Sequence, residues 1–197
     1  MLVVGAGVIG LLATAALRRL HPDLDVAVLA KYPHQADAAR ACGAQHVIEG
    51  SEDPWPILAE LAGTSVRGGG DQALLAGGFP YVIDAVGSES AVSQALRAVD
   101  SRGTLLLLGA SGVSKIDLSP IWFKEITVTG SFCHAHDPST AGGSDAHSFD
   151  VAIELLASGA VPAEVLVTHE FALADWREAL DVGMARDQGA IKVVLRP

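Results

Sequence analysis

The sequence predicts an α/β fold built on a doubly wound parallel sheet of six strands, with a C-terminal extension of helices and one further strand. Three observations predict it. Short continuous apolar runs, the signature of strands buried on both faces, alternate with stretches whose apolar residues fall at helical spacing. The links between these runs are short, which favours β-α-β crossovers within one parallel sheet. The first run also ends in a glycine turn that opens directly onto a helix. With 197 residues, 50% of them hydrophobic and only 18% charged, the chain can bury one substantial core.

Leu2, Val3 and Val4 form the first predicted strand, and beyond the turn Ile9, Leu12, Ala13, Ala16, Leu17 and Leu20 mark one face of a helix. Pro22 stops that helix, and Val26, Ala27, Val28 and Leu29 make the second strand. A helix over residues 35–42 follows, with Gly43 where a left-handed C-terminal cap belongs, and His46, Val47 and Ile48 supply a third strand. Residues 55–61 predict a helix, whereas residues 63–78 are glycine-rich without periodicity and read as a surface excursion. Tyr81, Val82 and Ile83 form the fourth strand, and Ser88 caps a helix whose apolar face is Val92, Ala95, Leu96 and Val99. Residues 105–108 and 126–129 complete the sheet. A polar loop over 138–144, helices over 149–157 and 176–180 and a strand over 191–195 do not obviously extend that sheet. The expected division is therefore 1–132 and 133–197.

A formal net charge of −10, with no local cluster of Lys and Arg, disfavours nucleic acid and anionic membrane surfaces as partners. Cys42 and Cys133 fit neither a disulfide framework nor a Cys-x-x-Cys metal knuckle, so a reducing, cytoplasmic setting is expected. Residues 1–17 are uncharged but interrupted by three glycines. They lack a basic leader and fall short of the ~20 apolar residues needed to span a bilayer, so they are expected to be buried in protein.

Gly5-Ala6-Gly7-Val8-Ile9-Gly10 is a GxGxxG pattern in its required context, directly after a buried strand and opening a helix. Gly5 permits the tight turn, Gly7 lets the backbone approach a pyrophosphate, and Gly10 allows close packing between helix and sheet. The helix that starts at Val8 and Ile9 then presents free N–H groups to the anion. These features make the sheet Rossmann-type and predict dinucleotide binding; a ligand-free turn or another adenosine cofactor is the competing reading. In such sites a carboxylate at the end of the second strand binds the ribose 2′-hydroxyl of NAD. Here that position is Ala30, followed by Lys31, so NADP(H) is favoured over NAD(H). An ordinary solvated lysine is the alternative for Lys31.

Six stretches, residues 3–12, 38–44, 82–87, 103–109, 122–125 with Gly130 and Ser131, and 189–194, run in the same order as in a known superfamily. The chain resembles the medium-chain, zinc-type alcohol dehydrogenases, particularly their threonine- and sorbitol-dehydrogenase-like members. The resemblance implies hydride transfer between a nicotinamide cofactor and an alcohol or ketone. It implies that backbone groups of Leu108, Gly109, Ala110, Ser131 and Phe132 hold the nicotinamide amide. Ala85, Val86 and Gly87 would border the adenosine side, and Lys192 would reach the pyrophosphate unless it is simply an edge-strand lysine.

One departure is large. Family members carry an N-terminal GroES-like domain with Cys, His and Glu zinc ligands, and this sequence contains none of it. Zinc is accordingly expected only in that absent domain, and no catalytic residue is assigned here. Cys133, His134, His136, Asp137 and His147 cluster in sequence, but their spacing matches no closed zinc site. No Tyr-x-x-x-Lys pair supports a zinc-independent reductase. The resemblance further implies that the final third packs on the catalytic domain, leaving apolar surface open, and that a homodimer forms through edge strands around residues 121–123 and the sixth strand. A stand-alone NAD(P)-binding sensor without catalysis is the rival function.

Overall fold

Successive residues of a strand face opposite sides of a sheet. Strands β1 (Leu2–Val4) and β2 (Ala27–Ala30) are buried at every position, so helices must cover both faces. The computed structural model describes residues 1–50, 53–132, 134, 146–185 and 187–197. After β1 come α1 (Val8–Leu20), β2, α2 (Pro33–Ala41), β3 (His46–Glu49) and α3 (Trp55–Leu61). A small hairpin of β4 (Val66–Arg67) and β5 (Leu74–Leu75) leads into β6 (Phe79–Asp84), α4 (Glu89–Ala98), β7 (Val99–Leu107), α5 (Ser119–Phe123) and β8 (Thr127–Gly130). The chain finishes with α6 (Ser148–Ala157), α7 (Ala163–Leu166), β9 (Val167–Ala172), α8 (Trp176–Met184) and β10 (Lys192–Arg196).

The main sheet has six strands in the order β3-β2-β1-β6-β7-β8, every neighbouring pair parallel. Leu2, Val4 and Leu29 pack on one side with Leu58, Val92, Ala95 and Leu96 of α3 and α4. Val3, Val28 and Ile83 pack on the other with Leu11 and Ala15 of α1, Ala36 and Ala39 of α2, and Val161 and Leu166 near α7. Among the described residues no helix is long and apolar enough to cross a membrane.

Four expectations need correction. The buried face of α1 is Gly10, Leu11, Thr14 and Ala15, while Ile9 and Leu20 are exposed. Counting apolar residues misplaced that face because Thr14 is core: its hydroxyl donates to the Gly10 carbonyl at 2.8 Å and so is satisfied without water. Residues 63–78 are not a bare surface excursion, since Leu75 is fully buried beside Leu58 and Leu96; two-residue strands are too short to show a period. Residues 121–123 are not an edge strand but part of α5, where Pro120 occupies the first turn that suits it. Val99 opens β7 rather than closing the preceding helix. One strand, β9, was not expected at all. It pairs in parallel with β10 in a separate two-stranded sheet, and its alternation of half-buried and exposed residues is carried by Thr168, His169 and Glu170 as much as by apolar side chains.

Lys124, at the end of α5, is 3% exposed, and its ammonium donates to the carbonyls of Val99 at 2.7 Å and Gly77 at 3.0 Å. It ties the start of β7 to the turn before β6. Burial pulls its pKa down to about 8, with Asp100 opposing. Between that value and the ordinary lysine range near ~10.4, the unfolded chain holds a proton that the folded chain has released, so this group makes stability rise with pH across that window. The full effect is about 3 kcal/mol. Cys42, buried and pushed up to about 11, titrates in the opposite sense, so the test is a difference. The urea midpoint of the wild type is expected to rise relative to that of Lys124→Met as the pH is taken from 7.5 to 10.5; a difference that stays constant with pH would refute a depressed Lys124.

Candidate dinucleotide-binding cleft

The strand order reverses between β1 and β6, and in open parallel sheets ligands lie outside the carboxyl ends of the strands at such a reversal. Here those ends carry Gly5 and Ala85. The Gly5 N–H donates to the Leu29 carbonyl at 3.0 Å and the Ala85 N–H to the Val4 carbonyl at 2.9 Å, tying both turns back to the sheet. Gly5 has φ +99°, and a side chain there would overlap the Val86 methyl group. A side chain at Gly10 would overlap the Gly5 carbonyl. At Gly7, by contrast, an added Cβ meets nothing within 4 Å, so the space beside its backbone is open. Gly7 is the N-cap of α1, and among the described residues the first N–H groups of that helix have no side-chain cap and no acidic residue in their own turn. Ser88 fills the corresponding role for α4 by accepting the Ala91 N–H at 3.3 Å.

The loops after β6 and β7 are joined through Asp84, which is fully buried. Its carboxylate accepts N–H bonds from Gly87 at 3.0 Å and Val86 at 3.2 Å, and its carbonyl accepts from Leu108 at 2.9 Å and Gly109 at 3.0 Å. Burial raises its pKa and the two backbone donors lower it again, with burial the larger effect. Gly87 lies so close to the Ala110 backbone, and Gly109 to Gly87, that neither has room for a Cβ.

These loops enclose a cleft of about 1090 Å³. Eleven of the residues singled out from sequence line it: Gly5, Gly7, Val8, Ile9, Ala30, Lys31, Ala85, Val86, Leu108, Gly109 and Ala110. Five lie off it. Gly10 and Gly87 sit behind the walls as packing glycines. Ser131 donates its N–H to the Leu107 carbonyl at 3.1 Å, Phe132 is 93% exposed, and Lys192 begins β10 while its neighbours Ala190 and Ile191 reach the cleft. Reading the sequence missed Tyr32, Gln35, Pro54, Ser88, Ser90 and Gln94, all of which line the wall. Among the described residues Lys31 is the one charged side chain there. Its ammonium lies 5.3 Å from the centre of the Tyr32 ring, which stacks on His34 at 5.7 Å.

A sequence profile described as zinc-binding dehydrogenase matches residues 8–158. The chain belongs to the zinc-binding dehydrogenase family. Among curated relatives, D-arabinitol dehydrogenase 1 of Uromyces fabae is 28% identical over 100% of the chain and 51% of its own length. Sorbitol dehydrogenase of Bacillus subtilis is 26% identical over 99% of the chain and 49% of its own length. An alcohol dehydrogenase of Escherichia coli CFT073, solved with NADH, superposes with a TM-score of 0.75 at 23% identity, covering 100% of the chain and 51% of that structure. The chain thus spans about half the length of the zinc-binding dehydrogenases it matches.

Zinc itself finds no home among the described residues, where no group of three or more His, Cys, Asp or Glu side chains is placed to hold a metal. His134 and His147 do approach, Nδ1 to Nε2 at 3.2 Å, but two imidazoles fall short of a zinc-binding dehydrogenase's ligand set. Cys133, His136 and Asp137 lie outside the described residues.

The three glycines of the turn separate by experiment. Gly10→Ala is expected to cost about 1–3 kcal/mol or more in a denaturant titration, because backbone must move to admit the methyl group. Gly7→Ala, with open space and φ −76°, is expected to stay within about 1 kcal/mol of wild type. Equal losses at the two positions would contradict the packing just described.

Proposed function

We propose that the cleft binds a nicotinamide dinucleotide, NADP(H) in preference to NAD(H), and that the chain is the cofactor-binding part of an alcohol or polyol dehydrogenase. Residues 1–132 form the dinucleotide-binding portion and residues 133–197 the portion that meets the rest of the enzyme. The observation that carries this reading is the uncapped, glycine-opened start of α1 facing the cleft at the strand-order reversal. Gly7, Val8 and Ile9 would hold the pyrophosphate through the backbone N–H groups and the dipole at the start of α1. Ala85 and Val86 would border the adenosine, Leu108, Gly109 and Ala110 the nicotinamide end together with Ser131 and Phe132, and Lys192 would reach toward the pyrophosphate. Bound nicotinamide supplies the hydride chemistry, giving or taking two electrons and a proton as one unit. The residues of this chain would bind and orient it and keep its diphosphate paired; among the described residues no group of three or more His, Cys, Asp or Glu is placed to hold a metal. The zinc and the substrate pocket that the family resemblance implies would lie in the part of such an enzyme that this chain does not span.

Phe149, Ile153 and Leu156 are exposed at helical spacing on α6, which buries no residue. That apolar face is the surface for the remainder of a full-length, cytoplasmic dehydrogenase, and the exposed edge strand β8 is the surface for a second copy.

Cofactor choice follows from Lys31 standing beside Ala30 with no carboxylate on the wall. Calorimetric titration is expected to give tighter binding of NADPH than of NADH. Lys31→Ala is expected to weaken NADPH by about tenfold or more and NADH by less than about threefold. Tighter NADH binding by the wild type would reverse the preference, and binding of neither nucleotide would remove the cofactor reading itself.

A further inference from the structure

The turn that follows β6, residues 85–87, touches both halves of the cleft. A side chain on Gly5 would overlap the Val86 methyl group, and one on Gly10 would come within 3.3 Å of the Ala85 Cβ, so this turn is packed against the glycine turn that opens α1. A side chain on Gly109 would overlap the Gly87 nitrogen and the Val86 carbonyl carbon, so it is packed as closely against the loop after β7. Displacing residues 85–87 must therefore push on one neighbour or open a gap beside the other. The Ala85 N–H is held by the Val4 carbonyl at 2.9 Å. For the other two N–H groups the acceptor is the Asp84 carboxylate: Val86 donates to Oδ1 at 3.2 Å, and Gly87 to Oδ2 at 3.0 Å and Oδ1 at 3.3 Å.

Among the described residues Asp84 is the one buried carboxylate, and it does not itself line the cleft. Its neighbours in the sheet, Val4 and Leu107, are apolar, as is Val82 two residues earlier in β6. A valine would fill the position without the cost of dehydrating a charge. It would accept neither N–H. An amide has one acceptor oxygen and an NH2 that would face an N–H, and a protonated carboxyl has the same defect, whereas a carboxylate accepts on both oxygens. The charged groups on the elements packed against Asp84 are engaged elsewhere. β1 carries none; on α4, Glu89 accepts the Lys115 N–H at 2.9 Å and Arg97 lies 3.8 Å from Asp117. On β7, Asp100 accepts the Ser101 N–H at 2.7 Å and Arg102 pairs with Glu125 at 2.7 Å. None of them contributes to the rise in the Asp84 pKa, whose cause is burial.

We propose that Asp84 is a positioning residue for the nucleotide: its ionised carboxylate, without lining the cleft, holds the 85–87 turn where the two halves of the cleft meet, and nucleotide affinity depends on that charge. This rests on the dinucleotide reading above and deepens it. A carboxylate and a diphosphate repel each other, so by charge alone Asp84 would weaken binding. Its benefit comes through the turn, and the two effects have opposite signs when the charge is removed.

The test uses the 197-residue chain with NADPH and with ADP-ribose, which keeps the diphosphate but lacks the nicotinamide and the 2′-phosphate. Asp84→Asn, close to the native side chain in shape, is expected to weaken both ligands by about tenfold under conditions where a urea titration shows wild type and variant fully folded. As the pH is lowered from 7.5 to 4.5, the wild-type affinity for ADP-ribose is expected to fall toward that of the variant, because protonation removes the acceptor that holds the turn, and the variant's affinity to change less. A residue that only stabilised the fold would lower the urea midpoint and leave the affinity of the folded chain and its pH profile unchanged. Equal or tighter binding by Asp84→Asn, or parallel pH profiles, would overturn the assignment while leaving the cofactor reading standing. If the variant does not fold, the wild-type profile decides alone, and an affinity that stays constant from pH 7.5 to 4.5 overturns the assignment. Failure of the wild type to bind either NADPH or ADP-ribose would overturn the cofactor reading and this inference together.

Discussion

The carboxyl edge of the sheet depends on main chain touching main chain. Gly10 lies against the Gly5 carbonyl, Gly109 against Gly87, and Gly87 against Ala110, in each case with no room for a Cβ. Asp84 locks two of these loops together by bonding to four N–H groups, two through its carboxylate and two through its carbonyl. Burying a carboxylate is unfavourable, and the upward push on its pKa measures that cost. The compensation is that the floor of the cleft is made of backbone held from beneath. The N–H groups of Gly5, Ala85, Val86, Gly87, Leu108 and Gly109 are taken up inside the fold, so the donors left facing the cleft are those that open α1, and the backbone floor keeps side chains from filling the space beside them.

Electrostatics act at two ranges here, and they oppose each other. A net charge of −10 repels a polyanion at a distance. That repulsion is screened over roughly 8 Å at physiological salt, whereas the N-terminus of α1 and the Lys31 ammonium act within contact distance. Binding of an anionic nucleotide is therefore decided by the few groups on the wall. This is why the lack of a carboxylate at Ala30 and along the lining outweighs the surplus of acidic residues elsewhere.

What the sequence reveals about this molecule follows from how local each constraint is. The glycine turn is legible because strand, turn and helix are contiguous, and the roles of Gly5, Gly7 and Gly10 are set by atoms a few residues away. The six-stranded sheet is legible because a strand buried on both faces leaves a continuous apolar run. The face of α1 was misjudged because the Thr14 hydroxyl is satisfied inside the helix, which no count of apolar residues reveals. The short helix α5 contains Ile121, Trp122 and Phe123, residues that favour strands in isolation, and Pro120 and the position of Lys124 beneath the sheet override that preference. The strand β9 was missed because its polar alternation acquires sense only beside β10.

The apolar clusters on the two faces of the sheet are closed by α1, α2, α3, α4 and the segment around α7, and α6 adds only the half-buried Leu155. Apart from Gly183, Ala190 and Ile191, the cleft is lined by the ends of sheet strands, the loops that follow them and the first turns of α1, α2 and α4. The exposed row Phe149, Ile153 and Leu156 is thus a feature of the periphery, and covering it with further protein would not change the walls around Gly7, Lys31 or Gln35. A cofactor site carried by a closed core is one whose binding can be measured on this chain directly.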